Sequence, residues 1–423
     1  MSRDNLDKKL DQFSRFFVTP TNTPADTDTD RTLETSPSYP ERYYRLADTL
    51  GGELIDRDSG AYCLVRTLYP WGEPFGSVVL ERPDNNAVIS RSAFSSHDCD
   101  GCAPVPSLLC FDTETTGLGG SGAVAFLIGF GSLTDNGFEV RQYVLPDYSD
   151  ETAMLEDVLA ECTDDRTLVS YNGAAFDVPV VRDRMIINRV SRHFEPAGHI
   201  DLLHPTRRLF RRRLRDCTLT NIERELFAFY RDDDIPGYLI PSVYFEWLGE
   251  ESLEAMEQVL EHNRLDILTL YFLSLHINTV FASEGASLDR ADDIHSLSRV
   301  FGRRRQHEQV IRLYRSITET SEKLAGDALL YHSLMLKRSG QMEEAVELWE
   351  SLLETDSREA YTAAIELAKY CEHRLKDCPR ALAYTRRAVE LRPDSDAQWA
   401  LLERRLLRLK TKVGDSGQSS DPT

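Results

Sequence analysis

The chain has 423 residues, more than one hydrophobic core usually organises, so two or three folded units are expected. Its 41% apolar content suits a globular protein, but 70 acidic against 49 basic residues leave a net charge of −21, which repels a phosphate backbone unless the charge is unevenly placed. No apolar run approaches the ~18 residues of a bilayer span, eight cysteines do not suggest a disulfide scaffold, and no basic-then-apolar leader opens the chain, so a cytoplasmic protein without membrane association is expected.

Residues 1–40 are polar and threaded with Pro, Thr and Asp from Thr19 onward, the composition of a disordered segment. Within them Leu6, Leu10, Phe13 and Phe17 share one helical stripe, so a short docking helix is expected. Residues 41–105 read as a small β-rich segment, with strand-like pieces at Ala61–Leu68 and Ser77–Leu80 between Gly and Pro turns. Cys99 and Cys102 form a Cys-x-x-Cys beside His97, but a structural zinc site normally needs a second pair, and Cys371 and Cys378 are distant; the stretch reads as a loop. Residues 106–285 show strands first, at Leu108–Asp112, Ala123–Ser132, Phe138–Leu145 and Thr167–Tyr171, and helical patterns then dominate. That order predicts an α/β domain with a mixed sheet flanked by helices.

Four acidic residues, in three places, stand out in this domain. Asp112 and Glu114 follow the apolar run Leu108–Phe111 and lie one residue apart, so on a strand they point to the same face. Such a patch of hard oxygen suits Mg²⁺ or Mn²⁺; the alternative is an acidic strand end followed by a glycine turn. Asp177 follows the Asn172-Gly173 turn and opens a helical segment, where it serves as a ligand or as a helix cap. His262 and Asp266 lie four apart in the long helical pattern Leu253–Phe281 and share a face.

In their order, these residues resemble the motifs of the DEDD superfamily of 3′–5′ exonucleases, which have an RNase H-like fold. The likeness is nearest to the bacterial YprB-type branch, in which a tetratricopeptide-like region can follow. Gly51–Leu54, Asp201–His204, Cys217–Leu219 and Asp234–Gly237 add to it, and it covers residues from about 45 to 280. The resemblance implies a nuclease with two divalent ions. Asp112 would bridge the ions, Glu114 and Asp266 would share the ion that holds the attacking water, and Asp177 would support the other. His262 would orient or deprotonate that water, or else tune Asp266. Three residues separate His262 from Asp266, the spacing of the tyrosine-type members rather than the four of the histidine-type. Thr115 and Asn172, beside the first two motifs, are expected to contact the nucleic acid.

Leu203–Arg215 carries six arginines and no acidic residue. Arg207, Arg211 and Arg215 form one helical row, suited to bidentate contacts with phosphate oxygens of a single-stranded end. The alternative is neutralisation by the acidic run Asp232–Asp234. Residues 290–410 contain a repeat: Gly340 to Ser357 is echoed 36 residues later from Pro379 to Pro393, and Val310 sits 35 residues before Ala345. A period near 34 predicts tetratricopeptide-like helical hairpins, a platform for a protein partner, against the alternative of an irregular bundle. Residues 411–423 are expected to be a disordered tail. Two functions are consistent with the whole: a metal-dependent 3′–5′ exonuclease, or a non-catalytic nucleic-acid or protein scaffold built on the same fold.

Overall fold

The computed structural model describes residues 39–418 apart from 96, 98, 118–121, 192–193, 251, 319–324, 356 and 392–394. The expected docking helix through Leu6, Leu10, Phe13 and Phe17 lies outside the described residues. From residue 41 the chain runs α1 (Glu41–Thr49), β1 (Glu53–Arg57) and β2 (Gly60–Pro70). Two small antiparallel pairs follow, β3 (Pro74–Phe75) with β4 (Val78–Val79) and β5 (Val88–Ser90) with β6 (Cys102–Pro104), around the short helix α2 (Arg91–Phe94). Next come β7 (Leu108–Thr115), β8 (Ala125–Thr134), β9 (Gly137–Val144), α3 (Glu151–Glu161), β10 (Thr167–Ser170), α4 (Asp177–Ile187) and β11 (Gly198–Asp201). Helices α5 (Leu203–Leu214), α6 (Leu219–Phe227), α7 (Ile240–Glu250) and α8 (Met256–Ala282) complete this part.

Seven strands form one mixed sheet in the order β1-β2-β9-β8-β7-β10-β11. β10 pairs parallel with both β7 and β11, and the remaining pairs are antiparallel. The sequence treats 41–105 as a separate segment, and here the structure differs. β2 pairs with β9 from Cys63↔Val144 to Pro70↔Gly137, so the N-terminal strands widen the central sheet. Strand β5 is also tied to α8, through Ser90 N–H donating to Asn278 Oδ1 at 2.9 Å.

Strand alternation divides the core. Leu109 and Phe111 of β7 face a cluster with α1, α3, α4 and α7, whereas Leu108 and Cys110 face a second cluster with α5, α6 and α8. Helix α8 reaches both clusters, with Val259 and Leu260 in the first and Ile267 to Val280 in the second. That double duty makes it apolar around much of its circumference. By length and composition it would qualify as a membrane span, which amends the expectation that no segment approaches one; 61% of its most apolar window is buried within the protein.

Helical hairpins follow: α9 (Ala291–Arg303) with α10 (His307–Thr318), α11 (Gly326–Arg338) with α12 (Met342–Leu353), and α13 (Glu359–Tyr370) with α14 (Cys378–Glu390), then α15 (Asp396–Gln418). The second helices of the hairpins begin 35 and 36 residues apart, at His307, Met342 and Cys378. Ile294, Leu297, Val310 and Tyr314 of the first hairpin belong to the same core cluster as α5 and α8, so the first hairpin shares the core of the sheet domain, whereas the later helices build clusters of their own. Helix α15 continues to Gln418, beyond the expected end of structure at 410. Lys412 still reaches Glu372 at 3.0 Å, and Val413 packs beside Cys371 and Leu409.

Candidate active site

The C-terminal end of β7 sets the floor of the site. Alternation that buries Cys110 toward α8 carries Asp112 and Glu114 to that same face, while Thr113 turns toward α4. Asp112 is opposite Gly129 of β8, and Gly129 is opposite Gln142 of β9. Over this row lies Asn263 of α8. Its Nδ2 donates to Asp112 Oδ2 at 2.9 Å, and its Oδ1 accepts from Gln142 Nε2 at 2.9 Å. Gln142 Nε2 also donates to the Leu260 carbonyl at 2.8 Å. Glycine is required beneath: a Cβ at residue 129 would lie 2.3 Å from Asn263 Oδ1 and 2.3 Å from Ile267 Cδ1.

Asp177 arrives from the other side as the first residue of α4. The Thr113 hydroxyl donates to its Oδ1 at 2.5 Å, which links the strand to the helix that carries the second motif. The preceding turn needs a left-handed residue, supplied by Asn172 at φ +67°. Asp201, at the end of β11, holds that turn by accepting from Asn172 N–H at 2.8 Å and Ala174 N–H at 3.1 Å, and it also accepts from Leu203 N–H at 3.0 Å. Thr115 donates its hydroxyl to the Gly117 carbonyl at 2.7 Å, within the turn after β7.

His262 and Asp266 occupy successive turns of α8, with Nε2 3.7 Å from Asp266 Oδ2. Sequence reasoning did not assign their partners. Asp234 Oδ1 lies 2.7 Å from His262 Nδ1. Arg231, whose side chain is 1% exposed, makes a bidentate pair with buried Glu223 at 2.6 and 2.7 Å. The same guanidinium contacts Asp266 Oδ1 and lies 3.3 Å from Asp234 Oδ2. Thr269 donates to Glu223 as well. Burial lowers the Arg231 pKa and its acidic partners more than reverse this, so the guanidinium stays charged.

Asp112, Glu114, Asp177 and Asp266 thus lie close enough for their charges to act on one another. Burial, reinforced by the charges of Asp266 and Asp177, pushes the Asp112 and Glu114 carboxyls well above the ordinary carboxylate range. Burial also raises Asp177, against the bond from Thr113. The donor set is all carboxylate oxygen, with Arg231 paired to Asp266, and its excess of negative charge fits a hard divalent cation. Among the described residues, no three His, Cys, Asp or Glu side chains stand ready to hold an ion. Asn263 holds one oxygen of Asp112, Thr113 one of Asp177, and Arg231 one of Asp266.

The arginine helix is α5. Arg207 and Arg211 are exposed along it, but the helix ends at Leu214 and Arg215 takes φ +61°, which removes Arg215 from the expected row. The other three arginines are structural, and their partners are not the acidic run Asp232–Asp234. Arg208 donates to the Ser95 carbonyl at 2.5 Å, Arg212 pairs with Asp292 at 2.5 Å and Asp327 at 2.6 Å, and Arg213 pairs with Asp293 at 2.8 Å. Cys99 and Cys102 are exposed free thiols.

Asn263 had a sequence signal: a polar residue three before Asp266 on the face of α8 that meets the sheet. Asp234 figured only within the stretch Asp234–Gly237 of the resemblance, without a role, and Arg231 had no signal, because both reach the site from a loop about thirty residues upstream of α8's motif. A family model described as RNase_H superfamily matches residues 109–278, which contain the four carboxylates, His262, Asn263 and Arg231. The chain is 33% identical over 358 residues to the uncharacterized protein YprB of Bacillus subtilis (strain 168), an alignment spanning 83% of this chain and 86% of that protein.

Proposed function

Since the chain belongs to the YprB family and carries an RNase H superfamily domain, we propose that it is a metal-dependent nuclease that hydrolyses single-stranded nucleic acid from the 3′ end. The observation that carries this reading is the half-buried carboxylate set Asp112, Glu114, Asp177 and Asp266, whose charges act on one another beside the end of β7. A protein that only bound nucleic acid would gain nothing from such charge beside a phosphate. These four residues would hold Mg²⁺ or Mn²⁺, which when bound would activate water and stabilise the departing oxygen.

The remaining steps belong to the side chains. Asp234, hydrogen-bonded at His262 Nδ1, fixes the imidazole with its proton on that nitrogen and leaves Nε2 free to accept one from water. Asn263 presents Asp112 in one orientation, and Thr113 does the same for Asp177. The exposed Arg207 and Arg211 and the neighbouring Arg215 would attract the phosphate backbone, with Thr115 and Asn172 beside the reacting end. The helical hairpins have the period of tetratricopeptide arrays and would receive a protein partner.

One observation favours a second reading, a binding protein without catalysis: Arg231 already supplies a fixed positive charge to Asp266. End-labelled single- and double-stranded DNA and RNA, incubated with Mg²⁺, Mn²⁺ or EDTA, separate the two. The nuclease reading expects shortening from the 3′ end that requires metal and is abolished in a folded Asp112→Asn variant. Cleavage that Asp112→Asn leaves intact would refute the site, and metal-independent binding without any cleavage would support the second reading.

A further inference from the structure

Helices α5 and α9 cross over a cleft of about 520 Å³ whose lining includes His204, Arg207, Arg208, Arg211, Arg299 and Arg303. Among the described residues, Arg207, Arg211, Arg299 and Arg303 have no carboxylate partner, although the chain as a whole carries a charge of −21. The contrast with their neighbour is instructive. Arg212 lines the same cleft and is neutralised by Asp292 and Asp327, so acidic groups within reach are already committed to holding α5 against the hairpins. Arg299 lies over the Tyr331 ring at 4.6 Å, a cation–π contact that steadies the guanidinium while leaving its edge N–H groups available. Burial and the nearby Arg304 and Arg303 hold the Arg208 guanidinium below its ordinary value, a sign of unbalanced positive charge.

Arg207 and Arg211 are four residues apart, as are Arg299 and Arg303, so each pair steps about 6 Å along its helix. Two facing rows of fork-shaped donors suit a ligand with charges repeated along its length better than a single small anion. The cleft also has a direction. Helix α5 starts at Leu203, two residues after Asp201, the residue that holds the Asn172 turn, and Arg207 lies within electrostatic reach of Tyr171.

We propose that this cleft grips the phosphodiester backbone of a single strand at a distance from its reacting end, with Arg299 and Arg303 of the first helical hairpin supplying half of the contacts. This rests on nucleic acid as the substrate and deepens it, because it assigns part of the hairpin region to substrate rather than to a protein partner.

The test measures binding in EDTA, so it does not depend on cleavage. The probe is a labelled single strand of about 20 nucleotides, longer than the ~4–16 of common single-strand sites. Its affinity is measured by anisotropy across a salt series for wild type, Arg299→Gln/Arg303→Gln and Arg299→Lys/Arg303→Lys. Two lost phosphate contacts should reduce the slope of log affinity against log salt by about 1.4, and the lysine pair, which keeps both charges, should restore it. A melting curve by circular dichroism checks that each variant is folded. An unchanged slope in the glutamine pair overturns the proposal, as does absence of wild-type binding or a preference for anionic vesicles over the strand. If binding behaves as expected but Mg²⁺ elicits no cleavage, the nuclease reading falls and the cleft assignment stands.

Discussion

Gly129→Ala is the sharpest test of how the sheet and α8 build the site. The added methyl group would meet Asn263 Oδ1 and Ile267 Cδ1 at 2.3 Å each, about 1.1 Å inside the 3.4 Å at which ordinary contact begins. Neither neighbour can easily yield. Asn263 is held by Gln142 and Asp112, and Ile267 is fully buried. Overpacking of this kind costs ~1–3 kcal/mol, and loss of a buried hydrogen bond leaves an unsatisfied group at a further ~1–3 kcal/mol. Relief of glycine's entropy in a strand returns roughly 0.5–1 kcal/mol. A net destabilisation of about 2–4 kcal/mol is expected in urea unfolding followed by circular dichroism. Gly237→Ala is the control, since nothing lies within 4 Å of its added methyl. The same displacement frees Asp112 from Asn263, so the nuclease activity proposed above should fall even where the variant is folded. A Gly129→Ala protein within ~0.5 kcal/mol of wild type, the range of ordinary surface substitutions, would show that Asn263 is not pressed onto this row.

Three further outcomes are expected. His262→Ala should lower the maximal cleavage rate by ~10²–10⁴-fold while metal binding, read by calorimetry, persists; a loss of only a few fold would reduce His262 to tuning Asp266. Asp234→Asn should lower the rate less than His262→Ala and alter its pH profile, because the imidazole loses the partner that fixes its proton; an unchanged profile would refute that positioning role. Glu372, buried under Arg405, Arg408 and Lys412, has a carboxyl that these cations, opposing its burial, hold down to about 2 from 4.5. Its contribution, about 1–2 kcal/mol once the solvent screening of the half-exposed Arg408 and Lys412 is allowed for, is fully present above pH ~4.5 and is lost as the pH falls through about 2. Glu372→Gln should therefore destabilise the hairpin region at pH 7, with the gap to wild type closing in melts taken between pH 5 and pH 2. A gap independent of pH would refute the assignment.

Much of the sheet domain is legible because its signals are local. Leu108–Phe111 reads as a buried strand, and the one-residue spacing of Asp112 and Glu114 puts both on the face toward α8. His262 and Asp266 likewise follow from helical spacing alone. What escapes notice depends on pairing across long separations. Strand β2 joins the sheet through β9, roughly eighty residues away in sequence, and no local pattern distinguishes that from a separate β-rich segment. Arg231 is similar: within its loop it looks like a surface charge beside Asp232 and Asp233, and its role appears only when Glu223, Asp266 and His262 converge on it. The arginine helix was legible as basic, but which arginines are spent on contacts depends on Asp292, Asp293 and Asp327, which belong to the hairpins.

Those same ion pairs give α5 a mechanical character. One end of the helix abuts Asp201, which seats the Asn172 turn, and its far end is bolted through Arg212 and Arg213 to the first residues of α9 and α11. It is a beam shared by two regions, loaded from both ends. Were an occupant of the hairpins to shift α9 or α11, α5 is the element through which that shift would reach the turn before Asp177. By thermodynamic reciprocity, a ligand seated at that turn would then change the affinity of the hairpins for that occupant by the same factor.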